Sequence, residues 1–161
     1  MDGSEARELA AAARGRLCVI DHQSRWSPWR RELKQRIASG MCGTPWSSRV
    51  IVRWGAAKRL GMPFTWWYDA ARGGGALGAL GSHMVDGMLD QFDTRVASVT
   101  ARLTTYVKQR EGAGGVPVDV TADEAAWLLC DLENGTPSEV QLDGMAFASE
   151  RDAGGGNLIE W

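Results

Sequence analysis

The residue types best suited to chemistry in this 161-residue chain are gathered in GGGALGALGSHMVDGMLDQ, Gly73 to Gln91. His83 carries an imidazole, the side chain best matched to taking or giving a proton near neutral pH. Asp86 and Asp90 follow one and two helical turns later, where either carboxylate could orient the ring. Ser82 cannot serve His83 as the nucleophile of a hydrolase, because neighbours on a helix point about 100° apart. Gly73, Gly74 and Gly75 free the backbone for left-handed conformations and do not sit comfortably in a helix, so the helix is expected to begin after Gly75. On a period of about 3.6 residues, Leu77, Leu80, Met84, Met88 and Phe92 form an apolar stripe. Ala79, His83, Asp86 and Asp90 form a second stripe, so the imidazole is expected to face away from the core side of its own helix.

Three adjacent aromatics, Trp66, Trp67 and Tyr68, stand in a long connection over residues 55–72. Connections longer than about 12–15 residues inside a compact domain tend to be functional or disordered, and three rings together argue against disorder. Such rings can wall a pocket for a polyol, or can simply hold the loop to the domain. Arg25 and Arg72 are candidates for holding an anionic substrate group, and His22 reads as a structural histidine. Two histidines without a ligand-spaced cluster match no common metal site, so none is expected.

GGGALGALGSHMVD resembles the signature of the C-terminal, substrate-side domain of the Gfo/Idh/MocA oxidoreductases. In that family a loop with a tryptophan and an acid leads into GGG, a Gly-Ser-His and an Asp three residues on; Trp66, Trp67, Asp69, Gly73, Gly74, Gly75, Gly81, Ser82, His83 and Asp86 match. The resemblance implies that His83 lies beside the nicotinamide ring and the substrate hydroxyl. There it would take the hydroxyl proton as a sugar, polyol or related alcohol is oxidised by hydride transfer to NAD or NADP. Asp86, Trp66, Trp67, Asp69 and Arg72 would then line the substrate site around the glycine turn. Many members carry an aspartate four residues before this histidine; here the position is Ala79, so a two-residue acid/base scheme lacks its carboxylate.

The elements that must position these residues can be read in order. Asp2 or Ser4 caps a short first helix stopped by Gly15, and LCVID, residues 17–21, reads as a buried strand. HQSRWSPW, residues 22–29, is similar to the family's exit from its Rossmann domain, so residues 1–22 read as a remnant of that domain and 23–161 as the C-terminal domain. Ser27-Pro28 starts a second helix over 28–39, with Trp29, Leu33 and Ile37 inward and Arg30, Arg31, Lys34 and Arg36 outward. Strands are expected at 47–54, 96–107, 116–120, 125–132 and 138–148, with a type I′ hairpin at Asn134-Gly135. The predicted fold is α+β: a predominantly antiparallel open sheet with the helices 28–39 and 77–91 on one face.

Composition narrows the partners. A net charge of −2 and a pI near 5.7 give no electrostatic reason to expect nucleic acid or an anionic membrane. Cys18, Cys42 and Cys130 are odd in number and without CxxC spacing, and read as buried thiols of a reduced, cytoplasmic protein. No apolar run reaches about 18 residues, and the N-terminus lacks the character of a signal peptide.

No G-x-G-x-x-G follows a strand at the front of the chain. The family's Glu-Lys-Pro lysine is absent as well, since Lys34, Lys58 and Lys108 are the lysines present. The chain thus reads as beginning in mid-domain, and NLIEW at its end as the start of a strand without successors. NAD or NADP is expected in a complete protein but not to bind this chain tightly. A homo-oligomer is expected through the open sheet face, because two helices cannot cover both apolar sides. Two other classes stay open: a non-catalytic sugar-binding or sensing member, which Ala79 favours, and a structural dimerisation module.

Overall fold

The computed structural model describes residues 3–55, 61–146 and 158–160. Helix α1 (Gly3–Ala12) is followed by a 3₁₀ turn at Gln23–Trp26, helix α2 (Pro28–Ala38) and strand β1 (Ser48–Gly55). Two 3₁₀ turns, Trp66–Tyr68 and Ala70–Arg72, lead through the glycines to a π-helical turn at Leu77–Gly81, which runs into helix α3 (Ser82–Phe92). Strands β2 (Val96–Thr104), β3 (Gln109–Glu111), β4 (Pro117–Asp119), β5 (Ala125–Leu132), β6 (Pro137–Ala146) and β7 (Leu158–Glu160) complete the order.

The expected α+β fold with an open sheet is what forms. Five strands lie in the order β2-β5-β6-β1-β7, antiparallel except for the parallel pair β1 and β6. Alternation decides what is buried: Val50 pairs with Val140 and that with Leu128, while Val52 pairs with Leu142 and that with Ala126. These rows meet Met88 of α3, wholly buried, with Leu77, Met84, Val85, Leu89 and Phe92 packed around. Leu80, expected in this stripe, is not among them, because the wider π turn changes the angular step between residues before Ser82.

Several expectations are corrected. Residues 116–120 do not join the main sheet; β4 pairs with β3 in a separate ribbon. The expected long strand 96–107 ends at Thr104, and β2, whose main packing among the described elements is against β5, is exposed along nearly its whole length. LCVID forms no strand: Leu17, Val19 and Ile20 are 95%, 81% and 77% exposed, an apolar segment with no strand beside it among the described residues. Cys18 and Cys42 are exposed, and only Cys130 is buried. Trp29 is half exposed, whereas Arg30, expected outward, is buried. The hairpin at Asn134-Gly135 forms, but not as type I′, which needs two positive φ values. Gly135 has φ 83° and Asn134 has none, its side-chain oxygen instead accepting the Thr136 N–H. Residues 158–160 find a partner in β1. Asp2 as a cap, Lys58 and the last two residues of the expected strand 138–148 lie outside the described residues.

Candidate functional site

The glycine turn is built around its neighbours. Gly73 and Gly75 have φ of 74° and 95°, conformations that side chains resist. A Cβ on Gly74 would collide with the carbonyl oxygens of Trp66 and Trp67, and one on Gly75 with the Asp123 carboxylate. Glycine is needed here because the aromatic loop passes directly over the turn. Asp123 fixes the other side: its backbone oxygen accepts Ala76 N–H at 2.9 Å, and its Oδ2 accepts Leu77 N–H at 2.9 Å. The N–H groups of Ala76 and Leu77 are therefore already taken by the carbonyl and the carboxylate of Asp123.

The loop itself is tied at several points. Asp69 Oδ1 accepts Ala71 N–H at 3.0 Å and so caps the following 3₁₀ turn. The Tyr68 carbonyl accepts N–H groups of Thr121 and Ala122. Beneath lies a buried node in which Arg110 donates to Glu124 Oε1 at 2.6 Å and to the Met62 carbonyl at 3.0 Å, while its guanidinium lies 3.9 Å from the Tyr68 ring centre. Glu124 Oε2 accepts the N–H groups of Tyr106 and Val107. Trp66 is 48% exposed and meets Trp67 edge to face, and Arg72 is exposed.

His83 lies beside His22, their ring centres 5.2 Å apart at 73°. Asp86 turns to other partners: Arg25 Nε donates to it at 2.7 Å, and His22 Nδ1 lies 3.0 Å from its Oδ1. Lys34 donates to Asp90 at 2.8 Å. The two aspartates therefore tie α3 to the segment 22–34, and the carboxylate expected to orient His83 orients His22. Arg30 lies across Gly87, where a Cβ would strike its guanidinium, which explains both the inward arginine and the mid-helix glycine. Sequence reasoning missed the Arg110–Glu124 node, Asp123 and the His22–Asp86 contact. The adjacent acids Asp123-Glu124 opening an apolar strand were the available signal.

Two carboxylates respond to pH in opposite senses. Burial alone would raise the Asp86 pKa, but the Arg25 hydrogen bond and the His22 and Arg25 charges outweigh it and hold it below the usual 3.8. Its stabilisation is present above that value and is lost as pH falls through the depressed pKa. Asp123 is raised above 3.8 by burial, against the backbone N–H bonds that oppose the shift, so its contribution is present below that value and is lost as pH rises through the folded pKa. Asp86→Asn is expected to remove part of the acid-side loss of thermal stability, and Asp123→Asn to flatten the decline above it. Thermal midpoints recorded against pH check both, and an acid limb unchanged in Asp86→Asn overturns the first.

An open sheet backed by α3, with a glycine turn locking an aromatic loop onto the start of a histidine helix, makes an α+β domain of the kind found in oxidoreductases. The family model for the GFO/IDH/MocA C-terminal domain matches residues 30–153, and the chain belongs to this family. Glucose-fructose oxidoreductase domain-containing protein 1 of Xenopus tropicalis is 28% identical over 127 residues, 79% of this chain and 32% of its own length. An NAD binding oxidoreductase from Klebsiella pneumoniae superposes with a TM-score of 0.78 at 25% identity, over 92% of this chain and 40% of that one. Levoglucosan dehydrogenase in complex with NADH and levoglucosan has a TM-score of 0.79 at 22% identity, over 98% and 41%, a likeness of fold. The chain thus spans about a third of the length of that curated relative.

NAD and NADP can be tested against the residues present. A pyrophosphate needs unpaired N–H groups at a glycine turn entering a helix. At Gly73–Gly75 that place is taken by the Asp123 carboxylate, whose charge opposes a phosphate. A pyrophosphate does not fit at this turn.

Proposed function

We propose that this chain supplies the substrate-side and oligomerisation domain of an NAD(P)-dependent oxidoreductase acting on a sugar, polyol or related hydroxy compound. Residues 1–22 are the tail of its nucleotide-binding domain and 23–161 the C-terminal domain. The observation that carries this reading is the joint in which the Trp66–Asp69 loop lies against the glycine turn and the π turn runs on into the helix that bears His83. The family membership and the sugar-bound relative of the same fold support it.

In this reading His83 takes the proton of the substrate hydroxyl, while Trp66 and Trp67 stack on the C–H face of the substrate. Asp69 and Arg72 stand at the rim. Asp86, held by Arg25 and His22, fixes the helix face from which His83 projects. The nucleotide is held by residues other than these. Isothermal titration with NAD and with NADP is expected to show no tight binding to this chain, and a micromolar Kd for either overturns that expectation. A second reading, a non-catalytic sugar-binding member, is favoured by Ala79 on the π turn, and sugar binding without turnover in the two-domain protein distinguishes it.

The oligomer is proposed through the sheet face away from the helices, where Leu129 is 62% exposed between Thr100 and Glu139 of the neighbouring strands. Light scattering at micromolar concentration is expected to give a dimer or larger, and a monomer overturns the proposal. No described helix is long and apolar enough to cross a membrane, and the cytoplasm is the compartment proposed.

A further inference from the structure

At the far end of α3 from His83, about 12 Å along the helix axis, a cleft of about 810 Å³ opens where α2, Phe92 and the 42–48 connection meet the starts of β1 and β6. Its volume falls in the range of small-molecule sites, roughly 300–1,000 Å³. Gln91 and Ser138 line it, and they are 7% and 5% exposed. Among the described residues, Gln91 Nε2 and Ser138 Oγ have no hydrogen-bond partner. An amide and a hydroxyl buried unpaired oppose folding, so the fold's own stability does not account for them. The charged residues of the cleft, Arg49 and Glu139, pair with each other at 2.9 Å and leave no net charge to be met. Leu33, Ile37 and Phe92 give it apolar walls.

We propose that this cleft is a second binding site, separate from the His83 site and independent of the sugar reading, that takes an uncharged carboxamide with a small apolar or aromatic body. The ligand carbonyl accepts from Gln91 Nε2, its amide N–H donates to Ser138 Oγ, and its body lies against Leu33, Ile37 and Phe92.

The test is a titration of the full chain with benzamide, followed through backbone amide NMR shifts. Saturable shifts are expected at Leu33, Gln91, Phe92 and Ser138 and not around His83, with benzoate about tenfold weaker for want of the donor and of a counter-charge. Gln91→Met is expected to abolish binding and at the same time to raise the thermal midpoint, because it removes an unpaired buried amide. Ser138→Ala is expected to weaken binding while leaving the fold intact. The proposal is overturned by any of four results: no shifts at millimolar benzamide, shifts centred on His83 and Trp66, binding unchanged in Gln91→Met, or a lowered midpoint in that variant, which would mean that the amide serves the fold.

Discussion

Glu124→Ala is expected to lower the unfolding free energy by about 3–5 kcal/mol, the cost of leaving one member of a buried ion pair without its partner. The side chains of Arg110 and Glu124 are 1% and 3% exposed, so water cannot replace what is removed. Three hydrogen bonds go at once: the one from Arg110 and those from the N–H groups of Tyr106 and Val107. For a domain whose whole stability is typically about 5–15 kcal/mol, that is a large share. Arg110→Met combined with Glu124→Gln is expected to recover much of the loss, since an apolar chain of similar length leaves no buried charge behind. Denaturant unfolding of the two variants beside the unaltered chain is the measurement. A loss below about 1 kcal/mol in Glu124→Ala would show that the node is wet or dispensable.

The other large effect is on rate. With the nucleotide-binding half supplied in trans, His83→Ala is expected to reduce turnover of a sugar or polyol by about two to four orders of magnitude, the usual contribution of a positioned proton acceptor. The loss should fall on kcat, because the histidine acts as the hydroxyl proton leaves and adds little to ground-state binding. Asp86→Asn should cost less, since its carboxylate contacts Arg25 and His22 and acts on His83 indirectly, through the helix and the His22 ring. A variant at His83 that keeps full turnover would remove this residue from the chemistry and favour the sugar-binding reading that Ala79 suggests.

The parts of the fold that were legible in the sequence are those set by local periodicity. The alternation of Val50, Val52 and Trp54, the stripe of Met84 and Met88, and the Asn134-Gly135 turn each encode a neighbourhood within a few residues. What failed depended on distant partners. LCVID has the composition of a buried strand, yet burial is conferred by flanking strands, and the described residues place none beside it. Arg30 looked like one of four solvent-facing charges, and only the missing side chain at Gly87, in another helix, lets it turn inward. Around the site, the glycines announced a tight turn, but which groups crowd it could not be read from spacing. Asp123 lies 48 residues beyond Gly75 in the sequence, so its cap on the turn is a product of the tertiary fold.

The parallel pairing of β1 with β6 has a consequence for the order in which the chain can assemble. Arg49 meets Glu139 across 90 residues of sequence, and β7, on the other flank of β1, comes later still. β5 and β6 can zip as a hairpin as soon as they exist, whereas β1 must wait for most of the domain to be made. At a synthesis rate of roughly 5–20 residues per second, the segment SRVIVRW stays unpaired for several seconds on the ribosome. Long-range pairing of this kind slows folding and leaves a β-prone apolar strand open to sticking in the meantime. The arginines at 49 and 53 interrupt that run with positive charge, as residues that guard a late-pairing strand against aggregation do.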